Sequence, residues 1–582
     1  MASKTPQFDT ALDTYFDSLR LDKNGGLEKT CRFSSKKFYV RPEDIEFYKS
    51  MKVPLPTLEP EERRRRRLAS QNSYTLFKTV SAYSKKKIVS LYPSTTPFKI
   101  YEHQVWYSDK WDPMVYGRPY DPARPFMEQF HELRLEVPRP NLFSSPSNTG
   151  SEYTNTSKNL KNCYFTFDQN GGEDLYYHEC CSEDKNCIDC WVLDNSDTCY
   201  SSRMSDHLFR CFFCEYSEHC IDSYFLFDCR NSSNCFMSFG LRNKQYHVRN
   251  QYIGKEAYEK FMRTMNIGSW KELEKFRKEF NELKIKAPRK PANNWKSVAS
   301  FGDYIENSKN VYFGFYVADS ENLAYSEGTV SAKECFDIFG GIGNERCYEL
   351  MNVWDGDNYE CIGSAHIENC EEVEYSELLR NSTACFGCVG LQNKSYCILN
   401  AQYTPEEYWR IVDDIRTKML SDGDYGEYFA PKYHAFPYRA SYIPYYGGYE
   451  DYDNAKKYGY DTRPLETAVE DVSGDIVNAS DFPDDIKDVK DEILKKIVYD
   501  AKNKKHFRIL KQELQFHRKH EVALPREHPS VRMTKWRDGF NLVVQFYKRS
   551  CAKCGKEIET TYAPDRPEKN IWCEECYLKF IG

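Results

Sequence analysis

Four cysteines near the end of the chain, Cys551-x2-Cys554-x18-Cys573-x2-Cys576, have the residue type and spacing of a paired metal knuckle. Two CxxC turns about twenty residues apart let four thiolates converge tetrahedrally on one Zn2+. Four sulfurs leave no open coordination position, so one structural ion is expected, holding shape and performing no chemistry. Further CxxC pairs, Cys187/Cys190, Cys211/Cys214 and Cys385/Cys388, lie in the body of the chain. Residues three apart on a strand face opposite sides, so these pairs are read as core cysteines; a metal or iron–sulfur site and a disulfide are the other readings. Arg63, Arg64, Arg65, Arg66 and Arg67 form the concentrated cationic run, and Lys85, Lys86 and Lys87 follow. Five adjacent guanidiniums are a candidate seat for phosphates; the alternative is a solvated helix answering Glu59, Glu61 and Glu62. Glu173 and Asp174, or Asp355 and Asp357, could serve a carbohydrate-active enzyme, although turns collect Asp for local reasons. No Walker loop, dinucleotide fingerprint, nucleophile elbow or HExxH motif occurs in the sequence.

The elements that must carry these residues are repeats. From Cys163 a cysteine returns every 24 residues, at Cys187, Cys211 and Cys235, and half a period later Leu175, Cys199 and Ser223 are each followed by Tyr. Short aromatic runs bounded by Asn, Asp, Ser and Gly are strand-and-turn chemistry, and self-similarity at such a period marks stacked units. One 24-residue unit, made of two similar halves, is read as one coil of a parallel β-solenoid with cysteines stacked in ladders inside it. A second array follows from Lys309, with Val311, Cys335, Cys361 and Cys385 in register apart from a two-residue slip. The last coils of the two arrays align at an offset of 150, Gly240 to Lys244 with Gly390 to Lys394, and each then turns helical, as a cap for an open sheet edge. The termini are duplicated too. Phe38, Asp44, Phe47, Pro56, Pro60 and Arg63 match Phe507, Glu513, Phe516, Pro525, Pro529 and Arg532 at an offset of 469.

The expected fold is therefore mainly β: two tandem parallel β-solenoid arrays of 24-residue coils with helical caps, flanked by duplicated small α+β zinc-ribbon-like modules. In chain order these are an N-terminal helical arm (1–30), a degenerate ribbon-like module (31–112), a connector (113–157), array 1 (158–252), a helical cap and linker (253–300) and array 2 (301–403). A cap helix (404–420), a Tyr-rich and acidic segment ending in a helix from Pro483 (421–500), and the C-terminal zinc-ribbon module (501–582) complete the list. The Tyr-rich stretch, with Tyr442, Tyr445, Tyr446 and Tyr449, is read as draping over an array, with stacking on bases or sugars as the alternative.

Composition sets the class. The chain has 582 residues, 15% aromatic, with 45 Tyr, 23 Cys and a net charge of −7. Its mean hydropathy of −0.75 and the lack of a long apolar run argue against a transmembrane helix, and residues 1–20 show no apolar signal-peptide core. An intracellular, cytoplasmic protein with reduced thiols is expected. Trp106 to Pro113, Tyr116-Gly117-Arg118, Pro125 to Phe130, Asn162-Cys163-Tyr164, Phe386 to Leu391, Gln402-Tyr403 and the C-terminal ribbon resemble the zinc-ribbon, cysteine-repeat proteins of candidate-phyla bacteria, over nearly the whole chain. The resemblance implies the architecture and a zinc site, with no assigned reaction. In that family the N-terminal modules carry CxxC ribbons; here Cys31 remains, while Ser34, Glu59, Glu62, Ser81, Ser84, His103 and Trp106 stand at knuckle positions, so no N-terminal zinc is expected. The function read from the sequence is a non-catalytic scaffold or binding protein for a macromolecule, RNA or a ribonucleoprotein. A carbohydrate-active solenoid enzyme and a protein-only scaffold are the rivals.

Overall fold

A computed structural model describes residues 3–352, 356–446, 451–465, 474–537 and 545–582; Asp355 and Tyr449 fall outside them. The chain divides into two units, Met1–Phe143 with Ala292–Glu466 and Ser144–Pro291 with Thr467–Gly582. Each array thus shares a unit with the terminal module more distant from it in sequence. The architecture is mixed α/β with many parallel strands, and "mainly β" overstates it: helices such as Trp270–Lys286 and Pro405–Asp422 account for much of the chain.

Parallel partners lie 12 residues apart, which corrects the 24-residue coil. In the second unit Tyr164 pairs with Tyr176, Trp191 with Arg203 and Tyr224 with Phe236; in the first unit Val311 pairs with Leu323, then Leu323 with Cys335. The half-period seen in the sequence is the repeat itself, and the 24-residue spacing arose because cysteine dominates alternate positions of one column.

The local geometry explains the pattern. Nearly every third residue has positive φ, among them Asn186 (50°), Asp189 (57°), Val192 (48°), Asn195 (49°) and Thr198 (56°). Two extended residues and one left-handed residue make a side, and the left-handed residue turns the chain. Asn and Asp adopt that conformation most readily among residues with a Cβ, so the many Asn and Asp of these stretches have a backbone role. Stacked Asn side chains add amide bonds at the corners, Asn310 to Asn322 and Asn381 to Asn393, each across 12 residues.

Because the chain turns every three residues, residues three apart face the same way. Cys187 and Cys190, expected on opposite faces of a strand, both enter one buried core with Cys163, Leu175, Cys199, Cys211, Leu226 and Cys235. The second array has its own core, including Cys335, Cys347, Cys361, Cys385 and Cys388. All 23 cysteines are free thiols. Burial raises Cys187, Cys190 and Cys214 well above the usual thiol range and pushes Cys163 and Cys235 up to about 11. Thiol titration of the native protein should leave Cys187, Cys211 and Cys235 unmodified over a period in which denatured chain reacts fully; rapid native labelling of these three would overturn the inward register.

Each array ends in the same way. A short antiparallel return, His247 with Tyr252 or Cys397 with Gln402, precedes a helix whose buried tyrosine meets a ring on the last turn. The pairs are Tyr246–Tyr258 at 5.9 Å and Tyr396–Tyr408 at 5.8 Å. The N-terminal helix Pro6–Asp17 docks on Pro405–Asp422, where the Asp413 carboxylate accepts from the Gln7 and Phe8 N–H groups. In the Tyr-rich segment Tyr425, Tyr428, Tyr438 and Tyr442 are buried in the first unit's core. The helix expected from Pro483 is absent: short 3-10 turns Ile486–Asp488 and Asp491–Lys495 lead into strand Ile497–Asp500. Ile497 and Val498 favour a strand, and they pair with Ile476 and Val477 on one side while Val498 meets Phe507 on the other. No described helix is long and apolar enough to cross a membrane.

Candidate metal centre

Strands Tyr547–Ser550 and Glu557–Thr560 form an antiparallel hairpin, and Cys551 follows the first strand directly. The Cys551 N–H donates to the Lys556 carbonyl at 2.8 Å and the Gly555 N–H to the Cys551 carbonyl at 2.9 Å, folding Cys551 to Cys554 into a knuckle. Gly555 has φ +78°, the left-handed turn that glycine makes without strain. The second knuckle is held from outside: Ala552 N–H donates to the Ile571 carbonyl, and Trp572 N–H to the Arg289 carbonyl, both at 2.9 Å. Cys573 precedes the helix Glu574–Ile581, and Cys576 lies in its first turn, so the positive helix end faces the sulfurs.

The four Sγ atoms lie within 4.8 Å of one another, with Cys554 and Cys573 at 3.7 Å. The Cys573 N–H also donates to Cys551 Sγ at 3.2 Å. Burial raises the Cys551 thiol, but backbone N–H groups of Cys573, Cys554 and Lys553 outweigh it and hold it down at about 6. Cys576, hydrogen-bonded to Cys573, is pushed up to about 12. One sulfur is thus poised as thiolate while another keeps its proton, as expected where four negative charges cannot coexist without a cation. The donor set fits a single ion with all four positions filled by protein, and the cluster can bind a metal.

At the other knuckles, side-chain hydrogen bonds stand where sulfurs would. Ser81 and Ser84 both donate to the Glu102 carboxylate. Ser34 donates to Glu59 beside Cys31. In the C-terminal module's first hairpin, Asp500 accepts from Asn503 Nδ2 at 2.8 Å and His528 N–H at 3.0 Å. His103 bonds Asn141 and Trp106 donates to the Pro138 carbonyl, so neither points to a metal.

The arginine run occupies helix Pro60–Ala69, which opens on proline, carries Glu61 and Glu62 in its first turn and arginines in its last, and so complements the helix dipole. It is not a solvated face. Arg63, Arg64, Arg66 and Arg67 are buried. Arg64 is bidentate to Glu327 at 2.6 and 2.9 Å; Arg63 lies 3.3 Å from Asp337, and Arg67 lies 3.1 Å from Asp337 and 2.7 Å from Glu349. Arg66 pairs with Glu62, and the half-buried Arg65 with Glu62 and Glu61. Lys85, Lys86 and Lys87 are exposed. The phosphate seat expected at Arg63 to Arg67 therefore has its charges directed inward, at carboxylates of the second array.

The second unit repeats this contact. Arg532, the counterpart of Arg63, lies 2.5 Å from Asp189 and 3.5 Å from Glu513. Tyr177 donates to Glu513 at 3.2 Å as Tyr325 donates to Asp44 at 2.9 Å. Asp189 and Asp337 are themselves copy-equivalent, so each unit joins module to array through the same tyrosine, carboxylate, arginine and aspartate. None of these partners was singled out from the sequence, and the signal that finds them is charge repeated at both internal offsets together. Burial pushes Glu513 up to about 7, against Arg532 and with Asp189. The folded state then keeps a proton that the unfolded chain has lost, so stability falls as pH rises from about 4.5 towards about 7. Denaturant midpoints of the second unit should drop over that window in the wild type, and Glu513→Gln should flatten the dependence; an unchanged slope would remove Glu513 as its source.

Of the acidic residues considered for catalysis, Glu173 is exposed and paired with Lys161. No protein-family model matches the chain, and no curated protein matches it.

Proposed function

We propose that the chain is a non-catalytic intracellular binding scaffold: two parallel β-solenoids of 12-residue coils, each clamped by a ribbon-type module, with one structural zinc fixing the C-terminal module. The observation that carries this reading is the contact repeated in both units, Tyr325–Asp44 with Arg63–Asp337 and Tyr177–Glu513 with Arg532–Asp189. The buried charge of the modules serves to hold them on the arrays. The four-sulfur cluster supports zinc, since sites made of four thiolates are closed and structural, and 23 free thiols suit a reducing compartment. The likeness to zinc-ribbon, cysteine-repeat proteins points the same way.

RNA loses its main electrostatic argument with the arginine run paired inside, so the partner favoured is a protein or the protein part of a ribonucleoprotein. Tagged full-length chain captured from its native lysate with and without RNase tests this. Partners that persist after RNase are expected; loss of all partners would return the reading to RNA. Depolymerisation of a polysaccharide by the purified chain would replace the scaffold with the enzyme.

A further inference from the structure

Inside the first array one turn of chain differs from its neighbours. The inward residues of the preceding turn are Cys163, Thr166, Gln169 and Gly172, and of the following one Cys187, Cys190, Leu193 and Ser196; between them come Leu175, His178, Cys181 and Asp184. Stacking does not require this choice. In the second array the copy-equivalent positions are Ser326, Thr329 and Ala332, equally buried, and both hydroxyls donate to backbone carbonyls.

His178 and Asp184 are 0% exposed and Cys181 5%, and one ligand atom from each lies within 4.8 Å of the others. The hydrogen bonds around them leave lone pairs aimed inward. Gln169 Nε2 donates to the Gly171 carbonyl, so its Oε1 must accept, at 3.2 Å, from His178 Nδ1–H. That fixes the tautomer and leaves His178 Nε2 as a bare lone pair. Asp184 Oδ1 accepts from Ser196 N–H at 2.8 Å, and Cys181 Sγ accepts from Leu193 N–H at 3.1 Å. His178 Nε2 and Asp184 Oδ2 have no hydrogen-bond partner, although both are buried. They stand 3.6 Å apart, too far for a hydrogen bond. A tetrahedral ion about 2.0–2.2 Å from each would hold them roughly 3.4 Å apart.

We propose that His178 Nε2, Cys181 Sγ and Asp184 Oδ2 bind a second divalent ion of the zinc type, enclosed within the first array. An imidazole, a thiolate and a carboxylate form the mixed N/S/O set that suits Zn2+. Loading it frees a proton from Cys181. The turns on either side enclose the site, so the ion enters as the chain winds and leaves slowly, unlike the ion at the partly exposed C-terminal cluster.

The test is metal content of the full chain grown with zinc. The wild type should carry about two zinc ions, one for each ligand set. Replacing Cys551, Cys554, Cys573 and Cys576 by serine should leave about one, resistant to chelator until the protein is denatured. His178→Ser with Cys181→Thr and Asp184→Ala installs the residues that the second array already accommodates, and should lower the wild type from about two to about one. The proposal is overturned if the wild type holds about one and the serine variant none with native circular dichroism. Should the serine variant fail to fold, unchanged metal in the His178/Cys181/Asp184 variant overturns it alone.

Discussion

Asp337→Ala is expected to destabilise the first unit by about 3–5 kcal/mol, because it leaves the buried Arg63 without its carboxylate and takes one of two from Arg67. The cost comes from stranded charge more than from a lost attraction, so the companion Arg63→Met/Asp337→Leu should recover a large part of it. Hydrogen exchange resolves the effect: peptides of Pro60–Ala69 and Lys333–Phe339 should lose protection together, while those of the second unit stay as they are. A change below about 1 kcal/mol would mean that water reaches these arginines and that the contact is only decorative. The same variant addresses RNA, since a phosphate seat would be strengthened by removing a competing carboxylate.

The other large effect concerns metal at the C-terminal cluster. Structural zinc contributes apparent binding energies of about 10–16 kcal/mol, and ligand set and local fold form together. Chelation should therefore open residues 545–582, bringing Trp572, now under Lys553 Nζ at 4.6 Å, within reach of quencher and protease. Residues up to Trp536 should hold, because Arg532 is anchored on Asp189 independently of the sulfurs. The helix Glu574–Ile581 is the joint between them: Tyr577 donates to Asp228 and accepts from Arg242. If the whole second unit melts in one step on chelation, that joint transmits the loss and the cluster supports the array as well as the hairpin.

The cluster was legible because its ligands are four cysteines close in sequence, and metal geometry dictates spacing. Both duplications were legible as constant offsets. The coil length was not, because the usual alternation of strand faces assumes extended backbone, whereas here non-glycine residues such as Val192 and Thr198 take the left-handed turn. That conformation leaves no mark in a periodicity of two. The arginine run was misjudged for a different reason: Asp337 and Glu349 lie more than 260 residues from it, and charge clustering in a sequence gives no sign of burial. His178 and Asp184 were passed over because an inward direction could be assigned only after the three-residue sides were seen.

One turn of the second array runs to 14 residues: Tyr348 pairs with Ile362 and Met351 with Ala365, after which Val373, Cys385 and Cys397 resume the usual step. An extra pair of residues is thus absorbed locally, and the chain beyond it finds its old phase. Lineages of such a protein can gain or lose whole turns, or lengthen one corner, without rewriting the interior downstream. Length differences between relatives should accordingly fall in multiples of 12 or at isolated corners, and a tag or epitope inserted at the 14-residue turn should be the least disruptive place to mark the array.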